Sequence, residues 1–307
     1  MRIAFLGTPE FALPVLQALI DRGETLAVFT QPDRPVGRKA VLTPPPVKVL
    51  AQQYGIPVFQ FEKIRSAEGV AALSAFSPDL MVTAAFGQLL SAANLAIPRL
   101  GTINVHGSLL PKYRGASPIQ TAILNGDAVT GVTTMFTDIG MDTGDMLLKR
   151  EEPILPDDTY ETLSARLSQI GASLLIETLD ALIAGTLVRI PQNNAEATVC
   201  RLIRKEDGKL HFSDSCRAVR DRIRAMNPWP IAFALLDGQP LKVYEAADCE
   251  TDWGDAPAGT LRCEKQRLYV RCADGWLEIL SLQAPGKKRM CSQSYLCGCD
   301  LGGKTLL

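Results

Sequence analysis

Histidine is almost missing from this chain: its 307 residues hold two, His106 and His211. Cysteine is missing from the first 199 residues, all eight lying between Cys200 and Cys299 with none in a C-x-x-C pair. Cys291, Cys297 and Cys299 crowd together, and His211 is the only histidine beside them in that third of the chain, but the spacing fits no standard zinc ligand set. No metal is expected, and the thiols read as buried or tolerated rather than paired. Hydrophobic residues make up 47% of the chain, yet no run approaches the ~20 apolar residues of a membrane span. The opening Met-Arg-Ile-Ala-Phe-Leu-Gly-Thr-Pro-Glu carries one positive charge and a short apolar stretch, so it reads as a first β-strand and not a signal peptide. A cytoplasmic protein with no membrane partner is expected. Charge of one sign is also missing. The formal net charge is −1, divided as +3 from residue 186 onward and −4 before it. This mild asymmetry allows a basic face without requiring one.

A further absence concerns the first turn. The beginning of the chain alternates strand and helix signals in the manner of a doubly wound sheet, which raises the possibility of a nicotinamide-dependent oxidoreductase. Its fingerprint would be G-x-G-x-x-G at the first strand-to-helix turn. The turn here is Gly7-Thr-Pro-Glu-Phe, with one glycine and a proline where backbone amides should meet a pyrophosphate.

What is present is concentrated in two short stretches. Gly101-Thr-Ile-Asn-Val reads as a buried strand, and it runs into Asn104-Val-His106-Gly-Ser108-Leu-Leu-Pro111, where Gly, Ser and Pro stop it. Asn104 and His106 are two apart, so in an extended chain an amide and an imidazole leave the same face, at the strand end where open α/β sheets bind ligands. About thirty residues on, the strand-like Gly131 to Thr137 leads into Asp138-Ile-Gly140-Met-Asp142-Thr-Gly144-Asp145, a tight acidic loop at another strand end. An aspartate brought from it against His106 would favour the imidazolium and orient the ring.

Asn104, His106 and Asp142, set in NVHGSLLP and DIGMDTGDM, resemble the catalytic trio of the formyltransferases that move a formyl group from 10-formyltetrahydrofolate to an amine. The stretch Arg114-Gly-Ala-Ser-Pro-Ile-Gln120 fits the same family. The resemblance implies that folate lies against the Ser108, Leu109, Leu110 and Pro111 turn, against Phe86, Gly87 and Leu89, and against Asp138 and Gly140. It also implies that Asn104 and a protonated His106 donate to the developing oxyanion while Asp142 supports the imidazolium and, through water, moves a proton.

Two more segments carry the resemblance towards members that act on charged initiator methionyl-tRNA. Gly7-Thr-Pro-Glu-Phe is one. The other is Gln31-Pro-Asp-Arg-Pro-Val-Gly-Arg38-Lys39, too rich in Pro, Gly and positive charge for regular structure and similar to a tRNA-binding loop, in which Arg and Lys would neutralise phosphates. It departs from the family pattern just after Arg38, at Lys39-Ala40-Val41. Arg204, Lys205, Lys287 and Lys288 are further candidates for phosphate contacts. Other acceptors remain open: a nucleotide-sugar amine, or RNA binding without catalysis.

The expected fold class is α/β, with a Rossmann-like formyltransferase domain over residues 1–186, a polar linker over 187–204 and an OB-like β-barrel for tRNA over 205–307. Strands are predicted at Arg2 to Gly7, Leu26 to Thr30, Leu80 to Ala84 and Thr102 to Val105. Helices are predicted after a Thr8 cap, near Val47 to Tyr54, Ser117 to Leu124, Thr159 to Ala184 and Asp214 to Met226. In the last part, Asn227-Pro-Trp-Pro, Pro257-Ala-Gly and Leu282-Gln-Ala-Pro-Gly-Lys-Lys carry the family resemblance, as do residues 291–298; residues 299–307 match nothing readable. A monomer is the default.

Overall fold

The run Arg2–Gly7 forms strand β1, buried at every residue after Arg2, as a parallel strand covered on both faces must be. The computed structural model describes residues 1–37, 39–299 and 301–307. They fall into two units, the first made of Met1–Pro118, Val129–Pro153 and Ser164–Arg201, the second of Ile119–Ala128, Ile154–Leu163 and Leu202–Leu307.

The strands of the first unit continue as Thr25–Thr30 (β2), Arg34–Val36 (β3), Val41–Thr43 (β4), Val58–Gln60 (β5), Leu80–Ala84 (β6), Thr102–His106 (β7), Arg114–Gly115 (β8), Val129–Phe136 (β9), Met146–Pro153 (β10) and Val199–Cys200 (β11). Seven of them make one sheet in the order β10-β9-β7-β6-β1-β2-β5. The five from β5 to β7 run parallel, and β9 and β10 add antiparallel. From β1 the chain moves outward to β2 and β5, then returns past β1 to β6. The strand order therefore reverses between β1 and β6, the place where ligands enter sheets of this kind.

The helices of this unit are Leu13–Asp21 (α1), Pro46–Gln53 (α2), Ala67–Phe76 (α3) and Ala92–Leu95 (α4). The expected Thr8 cap is not used. Pro9 is extended, a 3-10 turn fills Glu10–Ala12, and α1 starts only at Leu13. Thr8 instead donates its hydroxyl to the Phe86 carbonyl at 2.9 Å, fastening the end of β1 to the loop after β6. A buried cluster of Leu6, Phe29, Ile64, Leu73, Met81 and Phe86 covers one face of the sheet.

Pro118–Leu124 (α5) is short, whereas Tyr160–Ala184 (α6) has 25 residues. Among the described residues α6 alone is long and apolar enough to cross a membrane. Its buried positions, Leu163, Ser164, Leu167, Ser168, Gly171, Ala172, Leu174, Leu175, Thr178 and Leu179, recur every three or four residues, while Glu177 and Asp180 are exposed. That stripe is the pattern of a helix laid on a core.

The second unit holds the helix Cys216–Ala225 (α7) and the strands Ala232–Leu236 (β12), Gln239–Asp248 (β13), Leu261–Glu264 (β14), Arg267–Arg271 (β15), Trp276–Gln283 (β16) and Met290–Cys291 (β17). These form one antiparallel sheet in the order β12-β13-β16-β15-β14, with β17 on β16. Residues 303–307, unreadable from sequence, bridge its two edges. Leu307 exchanges both backbone hydrogen bonds with Leu235, at 2.7 and 2.9 Å, while Leu306 N donates to Gly259 O and Leu261 N to Lys304 O. The sheet is thereby closed around an apolar interior that includes Leu236, Leu261, Leu301 and Leu306, which removes its edges. Leu306→Ala should cost about 2–5 kcal/mol through the cavity it leaves, read as a lower denaturation midpoint with an unchanged slope.

α7 carries four arginines, Arg217, Arg220, Arg222 and Arg224. The fold spends them on the unit itself. Arg217 donates to Gly126 O, Arg222 to Asp207 O at 3.0 Å, and Arg224 to the carbonyls of Leu155 and Asp158, each at 3.1 Å. The buried Asp221 pairs with Arg224 at 2.9 Å and with Arg217 at 3.6 Å. Cys216, capped into this helix by Ser215, is pushed up to about 11 by burial and by neighbouring Asp274. At neutral pH it is an inert thiol.

Candidate active site

β7 delivers Asn104 and His106 on one face, and the loop between β9 and β10 delivers Asp142 to them. Asn104 Nδ2 donates to Asp142 Oδ1 at 3.4 Å, and His106 Nδ1 stands 3.7 Å from Asp142 Oδ2. The three groups meet at the C-terminal end of β7. His106 is buried and the Asp142 side chain is 19% exposed, so the carboxylate faces the opening and the ring backs it.

Each member is held by a partner. Thr83, one strand over on β6, donates its hydroxyl to Asn104 Oδ1 at 2.8 Å, which leaves the amide NH2 to point at the site. His106 Nε2 donates to the Tyr113 carbonyl at 2.9 Å, so Nδ1 is the nitrogen turned towards Asp142. Asp142 Oδ2 accepts from the backbone N–H of Gly115 at 2.8 Å.

The backbone around them is contorted. Ala85, Tyr113 and Asp142 take the left-handed conformation, at φ of 45°, 59° and 52°. Such residues cost of order 1–3 kcal/mol and persist where the surroundings force them. Glycine is obligatory at two adjoining positions. A Cβ on Gly144 would collide with the Phe136 carbonyl oxygen, and one on Gly115, whose φ is 116°, would collide with the carbonyl of Cys200.

The segments expected to hold folate flank this centre. In the 108–111 turn, Ser108 is buried and donates to Lys112 O at 2.7 Å, its own carbonyl accepts from Thr133 Oγ1 at 2.7 Å, and Leu110 packs with Met135 and Met146. The side chains of Ser108 and Leu110 thus shape the turn, whereas Leu109 and Pro111 are half-buried. Phe86 is buried in the sheet's core, Gly87 takes φ 77°, and Leu89 is 67% exposed. Gln31 Nε2 ties the loop down by donating to the carbonyls of Phe86 and Gly87 at 3.3 and 3.1 Å. Asp138 Oδ1 accepts from Gly140 N at 3.0 Å and Thr143 Oγ1 at 2.6 Å, turning the acidic loop and leaving Ile139 and Met141 exposed.

The basic segment is a hairpin, β3 against β4, with Lys39 exposed near its tip; Arg38 lies outside the described residues. Asp33 anchors its base, accepting from Gln60 Nε2 at 2.7 Å and Lys48 Nζ at 2.8 Å. Those two bonds hold the Asp33 carboxyl below the usual carboxylate range. In the second unit Arg204, Lys205, Lys287 and Lys288 are all exposed. Among the described residues no group of three His, Cys, Asp or Glu side chains is placed to hold a metal ion.

A nucleotide-type sheet with an Asn-His-Asp centre at its strand ends, joined to a closed antiparallel unit, defines a class of group-transferring enzyme. Residues 1–179 match the formyl transferase family and residues 202–300 its C-terminal domain, and the chain belongs to the formyl transferase family. The curated relatives it matches include methionyl-tRNA formyltransferases from Geotalea uraniireducens, 48% identical over 100% of this chain and 98% of that one, and from Geotalea daltonii, 50% identical over 97% and 95%. A third, from Macrococcus caseolyticus, is 46% identical over 97% and 95%. Among solved structures, the fold is shared with an N-formyltransferase from Helicobacter canadensis in complex with folinic acid and dTDP-3-aminofucose, at TM-score 0.68 and 19% identity over 94% of this chain and 99% of that one. It is shared also with HypX from Aquifex aeolicus in complex with tetrahydrofolic acid, at TM-score 0.66 and 16% identity over 96% and 47%.

Sequence reading missed the supports of the site. Thr83 sits in an ordinary strand and Tyr113 in a turn, and nothing local distinguishes either. Gln192 belongs to the same set, and Arg114, noted in sequence only as part of a family-like stretch, is bonded to it at 2.9 Å.

Proposed function

We propose that the chain transfers the formyl group of 10-formyltetrahydrofolate to the free amine of methionine on charged initiator tRNA, in the cytoplasm. The convergence of Asn104, His106 and Asp142 at the end of β7 carries this reading. The donor set suits the folate: two polar donors beside a carboxylate, with the exposed apolar side chains Leu89, Ile139 and Met141 on the loops that follow β6 and β9, surface that a flat ring system would cover. Bound there, the folate supplies an activated formyl carbon on its N10 nitrogen.

Asn104 Nδ2 and the Nδ1–H of His106 donate to the formyl oxygen as negative charge builds on it, an oxyanion role that is worth most in a site sheltered from water. His106 can keep Nδ1 for this task because Nε2 is occupied by the Tyr113 carbonyl. Asp142, beside the imidazole, supports its positive charge and takes up the proton shed by the attacking amine, through water where the distance requires it. The same group returns that proton to the departing nitrogen. No residue of the chain forms a covalent bond to the formyl group.

Arg38 and Lys39 would grip the acceptor stem, and Arg204, Lys205, Lys287 and Lys288 would contact phosphate elsewhere on the tRNA. Lys48→Met should free the hairpin base and raise the KM for charged tRNA severalfold with kcat nearly unchanged, because the loss falls on binding shared by ground and transition states. The Asp33 anchor has a depressed folded pKa, so its contribution is complete above the unfolded value near 4 and fades only as pH falls through the folded one. The hairpin should therefore show no titration between pH 6 and 8. To test the reaction, labelled donor is offered with charged initiator methionyl-tRNA or with a dTDP-linked amino sugar. Label is expected on the tRNA alone; label on the sugar would overturn the substrate.

A further inference from the structure

Gln192 lies outside both stretches that match the family, in the polar segment that follows α6. Its amide is tied at both ends. Nε2 donates to the carbonyls of Asp142 and Gly144, each at 2.8 Å, and Oε1 accepts from Arg114 Nε at 2.9 Å. A flipped amide would set its oxygen against two carbonyls and its NH2 against a guanidinium, so only one orientation is satisfied. The buried Arg114 also donates through Nη2 to Asn194 Oδ1 at 2.8 Å.

The rest of the segment is fastened on both sides of the site. Ile190 and Met146 exchange backbone bonds at 2.9 Å, just beyond the acidic loop. Thr198 Oγ1 accepts from Tyr113 N at 2.8 Å, and β11 pairs in parallel with β8. Asp142 is thus gripped at its carboxylate by Gly115 and at its carbonyl by Gln192, while Arg114 links the two grips through adjacent residues. On the other side of the loop Asp138 holds Gly140 N and Thr143 Oγ1, at 3.0 and 2.6 Å, but makes no bond to Asp142 itself, whose backbone is left-handed at φ 52°.

We propose that Gln192 is a positioning residue for formyl transfer, holding the Asp142 carboxylate against Asn104 and His106 by clamping the carbonyls on either side of Thr143. This rests on the catalytic reading of Asp142. Gln192→Glu is the sharp test, since it keeps the size and the Arg114 partner while turning an acceptor towards both carbonyls. Single-turnover formyl transfer to charged initiator tRNA should fall on the order of a hundredfold in rate, the effect of a misplacement near 1 Å, with little change in either KM or in thermal unfolding.

In an Asp142→Ala background the same substitution should cost nothing more, because the group it positions is gone. A protein that had merely lost folded fraction would lose the same factor in both backgrounds. Should Gln192→Glu fail to fold, as judged by circular dichroism, Gln192→Met is measured in the same two backgrounds. A native rate in the Gln192 variant beside an inactive Asp142→Ala overturns the proposal, and so does an equal loss in both backgrounds. A native rate in Asp142→Ala overturns the catalytic reading instead.

Discussion

Asn104→Ala should lower the rate of formyl transfer by on the order of 10²–10³, the usual effect of removing one oxyanion donor, while leaving the protein folded. The size follows from how completely the amide is committed. Thr83 occupies its oxygen at 2.8 Å and aims its NH2 at the site, so the donor is in place before substrate arrives and reorganises little during reaction. Folding should survive because Asn104 sits at a strand end whose ladder bonds are made by backbone. The loss should appear in kcat and kcat/KM equally, since the interaction forms only as charge develops. Asn104→Asp should be no better, for it places a second carboxylate beside Asp142. Single-turnover kinetics with both substrates saturating would decide the matter, and a native rate in Asn104→Ala would remove the residue from the mechanism.

Asp221→Ala should destabilise the second unit by about 3–5 kcal/mol, because breaking a buried ion pair leaves uncompensated charge behind. Asp221 is 2% exposed and pairs with both Arg217 and Arg224. Arg224 would still donate to the carbonyls of Leu155 and Asp158, so its guanidinium would remain in place without a counter-charge. A drop of roughly 10 °C in the unfolding temperature is expected from an energy of that size. Asp221→Asn, which retains an acceptor, should lose less. Calorimetry on the two variants separates the outcomes: equal unfolding temperatures in Asp221→Ala and the native protein would show that the pair contributes nothing.

Much of this molecule is legible in its sequence where the information is local. The β-branched run before Asn104, the i, i+2 spacing to His106 and the Gly-punctuated acidic loop are patterns a strand end imposes on its own residues. The same holds for β1, β6, α6 and α7, whose bounds fall within two residues of expectation. What is not legible depends on partners far away in the chain. Thr8 has the composition of a helix cap, but a carbonyl 78 residues distant takes its hydroxyl. Residues 303–307 have no pattern of their own because they pair with two different edges at once. Gln192 falls in a stretch without periodicity, read as part of a linker, and only tertiary structure shows that stretch fastened on either side of Asp142.

The reaction itself is tested by transfer of labelled formyl from 10-formyltetrahydrofolate to charged initiator methionyl-tRNA, with charged elongator methionyl-tRNA as the parallel acceptor. Rapid label transfer to the methionine amine of the initiator is expected, with little to the elongator. Folate turnover with neither tRNA labelled would overturn methionyl-tRNA as the acceptor.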